Sequence, residues 1–141
     1  MAKDISFLDL SKQQKRLQGK ILLNINKVLE HGQYIMGPEV IKFEKKLEQY
    51  SGAKYSASCA SGTDALVLAL MALNVGPGDI VFCPTFTFPA TAEAIVILGA
   101  IPFFIDVEFD SFNISIDSLK KGMQIVKKEN KYKPKAIIAV D

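Results

Sequence analysis

Long apolar runs are missing from this chain. No window reaches the roughly 18 apolar residues that a membrane-spanning helix needs. The start, Met1-Ala-Lys-Asp-Ile-Ser6, has no apolar stretch behind a basic region, so no leader is expected and a cytoplasmic location is. An excess of one charge is missing too: 17 lysines and arginines stand against 15 acids, a net charge of +2. That balance gives no broad field for nucleic acid or a membrane surface and leaves a small metabolite as the expected partner. Cysteine is scarce. Cys59 and Cys83 lie within apolar, strand-like runs at neither disulfide nor metal spacing, so both read as buried thiols in a reducing compartment, and no metal is expected. The single histidine, His31, reads as a helix-end cation or surface group rather than a catalyst. The one local excess, five lysines against Glu129 between Lys127 and Lys135, reads as a solvated surface loop.

What is present suits one globular core: 141 residues, 49% hydrophobic and 23% charged, without repeats or low-complexity tracts. From Ser11 to His31, Leu17, Ile21, Ile25, Val28 and Leu29 recur at spacings of three and four, which predicts a helix stopped by Gly32. Pro38 suits the first turn of a second helix, with Val40, Phe43, Leu47 and Tyr50 as its stripe and Ser51-Gly52 as its end. Tyr55 to Ala60 reads as a buried strand, and Ala65 to Leu73 as a helix apolar all round and hence buried. After a turn at Gly76-Pro-Gly-Asp79 come a strand from Ile80 to Cys83, a helix from Thr91 to Leu98 and a strand from Ile101 to Val107. Asp110 to Ser115 is turn-like, Leu119, Met123 and Val126 mark a further helix, and Ala136 to Val140 a last strand. The alternation implies an α/β fold with a mostly parallel sheet flanked by helices, in which the helix to follow the last strand is missing.

Two constellations carry chemistry. In Ser61-Gly62-Thr63-Asp64 a strand-like run is followed at once by a helix. That order points unpaired amides and the positive end of the helix dipole at an anion such as phosphate, and Gly62 permits close approach. The same residues also read as a plain helix start, with Ser61 as N-cap and Asp64 three residues on. They are neither a Walker loop nor a dinucleotide fingerprint. Pro84-Thr-Phe-Thr-Phe-Pro-Ala-Thr91, between a strand and a helix, is placed to line the same crevice. Phe86 and Phe88 there are either flat partners for a heteroaromatic ring or core filler.

In order along the chain, Gly32-Gln-Tyr-Ile-Met-Gly-Pro-Glu-Val40, Ala60-Ser-Gly-Thr-Asp-Ala-Leu66, Gly76-Pro-Gly-Asp79 and Pro84-Thr-Phe-Thr-Phe88 resemble the DegT/DnrJ-type sugar aminotransferases. These are fold-type I enzymes that use pyridoxal 5'-phosphate. The resemblance runs from Phe7 to Asp141 and implies the first part of that fold's large domain, with residues 1–36 as an amino-terminal helix and substrate- or dimer-side loop and 37–141 as the start of the cofactor-binding domain. It implies that Gly62, Thr63 and Asp64 bind the cofactor phosphate, that Phe88 stacks on the pyridine ring, and that Tyr34 contacts substrate or a second subunit. None of the 16 lysines matches the family's catalytic lysine, which, like the acid that pairs with the ring nitrogen, is expected beyond Asp141, so no catalytic residue is assigned. The Lys127 to Lys135 stretch is longer than the resemblance leads one to expect.

The activity so implied is transfer of an amino group from glutamate to a nucleotide-linked keto-sugar. The nearest resemblance is to enzymes that aminate a UDP-linked 3-keto N-acetylhexosamine uronate for surface polysaccharide synthesis. A homodimer is implied for the intact protein, and inactivity for these residues alone. A sugar dehydratase on the same scaffold and a non-catalytic phosphate-binding remnant stay open as alternatives.

Overall fold

The computed structural model describes residues 7–140, so the leading stretch Met1 to Ser6, read above for a leader, lies outside the described residues, as does Asp141. The chain divides into two compact units, Met1–Ser58 and Cys59–Asp141.

The first unit holds α1 (Ser11–His31) and α2 (Pro38–Ser51). Both ends follow from local chemistry. Gly32 and Gly52 adopt left-handed φ values of 66° and 74°, and their N–H groups bond back to Val28 and Glu48 carbonyls, closing each helix. Pro38, which lacks an N–H, opens α2 where none is needed. Neither helix buries a residue, so the apolar stripes of α1 and α2 lie at the surface.

Tyr55 to Ala60 is not the buried strand that its composition suggests. It is irregular, and apart from half-buried Ser56 it is exposed. Serine and alanine are poor strand formers with little surface to bury, and carboxylates on α2 take the donors that a ladder would have used. The Ser56 amide donates to Glu48 Oε1 at 3.2 Å, and the Ser58 amide and hydroxyl donate to Glu44 Oε1 at 2.8 and 2.7 Å. Cys59 is therefore exposed, against expectation, whereas Cys83 is buried.

The second unit is α/β. Its three-stranded parallel sheet has the order β2-β1-β3, with β1 (Asp79–Pro84) between β2 (Ile101–Ile105) and β3 (Lys133–Ile137). The helices are α3 (Gly62–Ala72), α4 (Ala90–Ile97) and α5 (Ile116–Glu129). The apolar run Ile80-Val-Phe-Cys83 is continuous because β1 is covered on both faces. Val81 and Cys83 pack with Leu70 of α3 and Ala94 and Ile95 of α4. Ile80 and Phe82 pack with Leu119 and Val126 of α5 and with Ile105.

β2 ends two residues earlier than expected, and Val107 instead forms an isolated antiparallel bridge with Ile114. β3 starts three residues earlier, with Lys133 opposite Asp79. Pro134 has no N–H to give, and the register slips there before Ala136 meets Val81. The lysine-rich stretch is exposed but not all loop. Lys127 and Lys128 occupy the last turn of α5, favourable for its dipole, and Lys133 and Lys135 lie in β3.

Helix α3 is also not buried all round. Leu70 alone is buried, while Leu68, Met71 and Leu73 are half exposed. One flank packs on α4 through Leu66, Val67 and Leu70, and one neighbouring layer covers only one side of a cylinder.

Candidate functional site

Ser61 is fully extended (φ −156°, ψ 168°), and its hydroxyl accepts the Asp64 amide at 3.1 Å while its carbonyl accepts the Ala65 amide at 3.0 Å. The amides of Gly62 and Thr63 find no acceptor among the described residues. Ser61 thus caps the helix and takes the Asp64 amide, which the family resemblance had offered to the phosphate, while the amides of Gly62 and Thr63 stay free. Among the described residues the Asp64 carboxylate does not reach back to Ser61, so the cap is one-sided. A Cβ on Gly62 would meet nothing within 4 Å, which leaves the approach to these amides open. Two bare N–H groups at the positive end of an 11-residue helix are a donor set for an oxyanion.

The loop after β1 is pinned residue by residue. The Thr85 amide continues the ladder to the Ile105 carbonyl at 2.8 Å. The Phe86 ring leans on Phe112, with centroids 5.2 Å apart and planes tilted by 35°. Thr87 Oγ1 lies 2.8 Å from Thr91 Oγ1, and the Thr91 amide donates to the Phe88 carbonyl at 3.0 Å. The Phe88 ring alone is left over, 76% exposed. Phe86 and Phe88 are not core filler. With Thr85, Thr87, Phe112 and Asn113 they border a cavity of about 330 Å³, which Ser111 and Val140 complete. Gly62, Thr63 and Asp64 do not line that cavity, although they share the second unit with it.

The sequence reading missed Phe112, Asn113 and the Thr87–Thr91 pair. Phe112 carries a left-handed φ of 59° that nothing in a phenylalanine advertises. Thr91 did leave a signal, a hydroxyl in a run otherwise of alanines, isoleucines and valine but for Glu93, and the structure buries it.

Tyr34 lies in the first unit, 66% exposed, beside a groove of about 460 Å³ formed with Ile21, Ile25, Val28 and Leu29 of α1 and with Glu39. His31 ends α1 as expected, and it organises this loop. The Gln33 amide donates to His31 Nδ1 at 3.0 Å, and His31 Nε2 lies 3.1 Å from Glu39 Oε2. Burial pushes the Cys83 thiol up, which makes it a core group rather than a nucleophile.

The sequence pattern of the DegT/DnrJ/EryC1/StrS aminotransferase family matches residues 15–141. Over 119 residues the chain is 49% identical to the UDP-2-acetamido-2-deoxy-3-oxo-D-glucuronate aminotransferase of Pseudomonas aeruginosa, covering 84% of this chain and 33% of that enzyme. A crystal structure of a DegT DnrJ EryC1 StrS aminotransferase from Brucella abortus superposes with a TM-score of 0.93 at 46% identity, over 98% of this chain and 37% of the other. The S. venezuelae DesV structure in complex with a ketimine intermediate follows at a TM-score of 0.85 and 28% identity, over 98% and 35%. The chain spans about a third of the length of these relatives. It belongs to the DegT/DnrJ/EryC1/StrS aminotransferase family, whose members are fold-type I enzymes dependent on pyridoxal phosphate.

Proposed function

We propose that the protein containing this chain is a pyridoxal-phosphate-dependent aminotransferase that moves an amino group from glutamate to a UDP-linked 3-keto N-acetylhexosamine uronate, in surface glycan synthesis in the cytoplasm, as a homodimer. The observation that carries the reading is the pair of free amides at Gly62 and Thr63 at the head of α3, in the same unit as the exposed Phe88 ring. The residues present fit the cofactor: the amides and the Thr63 hydroxyl supply donors for its phosphate, and the phenyl face of Phe88 suits its pyridine ring. The 49% identity to the Pseudomonas aeruginosa enzyme supports the choice of sugar.

The bound cofactor supplies an electron sink through which an amino group changes carbon atoms. The residues of this chain do the holding. Gly62 and Thr63 donate to the phosphate, and Ser61, by capping Asp64, keeps the helix end in shape to present them. Phe88 covers the ring and keeps water from that face, and Tyr34 meets the sugar nucleotide or the second subunit. Residues 1–36 then form an amino-terminal helix and a substrate- or dimer-side loop, and residues 37–141 the first part of the cofactor domain.

Absorbance of the full-length protein loaded with pyridoxal phosphate tests the reading. Glutamate should shift the cofactor band, and the keto-sugar should restore it. A spectrum indifferent to glutamate rejects transamination.

A further inference from the structure

We propose that Thr91 is a positioning residue that sets Phe88 against the cofactor ring. The inference rests on the reading of Phe88 as the stacking ring and adds a residue to it. Thr91 is 5% exposed, in a helix whose other buried residues are Ala90, Ala94 and Ile95. A hydroxyl sunk in such surroundings costs stability unless it is hydrogen-bonded, and Thr91 Oγ1 spends its bond on Thr87 Oγ1 at 2.8 Å. The amide of the same residue holds the Phe88 carbonyl at 3.0 Å. Thr91 therefore grips the loop on both sides of the Thr87–Phe88 peptide, while Thr85 is tied to β2 and Phe86 rests on Phe112. With the backbone so held, the Phe88 ring has only its own two torsions left to vary, and a ring that must lie flat on a ligand gains from that restriction before the ligand arrives.

The experiment uses the full-length protein stripped of cofactor and titrated with pyridoxal phosphate, read by absorbance and by the induced circular dichroism of the bound ring. Thr91→Val removes the hydroxyl at nearly constant shape and should weaken binding about fivefold while diminishing the dichroic band. Thr91→Ser, which keeps the hydroxyl, should restore both. In a Phe88→Ala background, Thr91→Val should add nothing further, because the ring through which it acts is gone. Thr87→Ala breaks the same bond from the loop side and supplies the comparison if Thr91→Val fails to fold. Wild-type binding by both Thr91→Val and Thr87→Ala, or a loss that persists undiminished without Phe88, overturns the role of Thr91 and leaves Phe88 standing. Unchanged binding by Phe88→Ala alone overturns the stacking reading and this inference with it.

Discussion

Replacing Gly62 with alanine separates a phosphate site from an ordinary helix start, because the two readings give opposite results. Gly62 is the first residue of α3, its backbone lies outside the left-handed region, and an added Cβ would meet nothing within 4 Å. On structure alone the substitution is harmless: alanine is favoured over glycine in a helix by up to about 1 kcal/mol, and by less at the first turn. If the amides of Gly62 and Thr63 hold a phosphate, the same methyl group stands where the anion must approach. A hydrogen bond to a charged group contributes about 1.5–3 kcal/mol, so displacing the phosphate from one amide weakens binding by roughly tenfold to a hundredfold. The full-length Gly62→Ala protein should thus melt, without cofactor, at or slightly above the wild-type temperature and bind pyridoxal phosphate at least about tenfold more weakly. Undiminished cofactor affinity in this variant would refute the anion site and reduce the turn to a helix cap.

Two further outcomes follow from packing and from titration. A Cβ on Gly122 of α5 would stand 2.8 Å from Ile105 Cδ1 and 3.0 Å from Phe103 Cε1, and Ile105 is only 1% exposed. Overpacking of about 1–3 kcal/mol outweighs the roughly 1 kcal/mol of helix propensity gained, so Gly122→Ala should lower stability by about 1 kcal/mol in a denaturant melt. Gly19→Ala on α1, where a Cβ meets nothing within 4 Å, should not. Glu44 is held below the usual glutamate range by hydrogen bonds, first from the Ser58 side chain and then from its backbone. Its contribution is complete above the ordinary glutamate value and is lost as pH falls through the depressed folded value. The Ser58 amide resonance should move only below the ordinary value, and Glu44→Gln should remove that titration.

Much of the architecture was legible because local chemistry decides it. Gly32, Gly52 and Pro38 mark helix ends by what their backbones can and cannot do, and α1 and α2 run where those marks place them. The doubly covered β1 was legible as an unbroken apolar run. Burial was less so, since it depends on neighbours and not on the residue itself. The apolar circumference of α3 shows only what could be covered, and α4 covers one flank. Tyr55 to Ala60 has the small and apolar composition of a buried strand, yet Glu44 and Glu48 compete for its amides from a helix earlier in the chain. At the candidate site, Ser61 to Asp64 stood out because their type and order carry chemistry, whereas Phe88 was set apart from Phe86 only by the family resemblance. The Phe86–Phe112 contact could not, since it needs a left-handed phenylalanine well along the chain.

The central place of β1 in its sheet bears on the order of assembly. Pairing β1 with β2 closes a crossover that holds α4 alone, whereas pairing it with β3 must also span β2 and α5. The longer closure costs more chain entropy by somewhat under ~1 kcal/mol, and it ends on a strand interrupted at Pro134. On chain entropy alone the β1-α4-β2 crossover closes more cheaply than the pairing of β1 with β3, and the turn that carries Phe88 lies within that shorter closure.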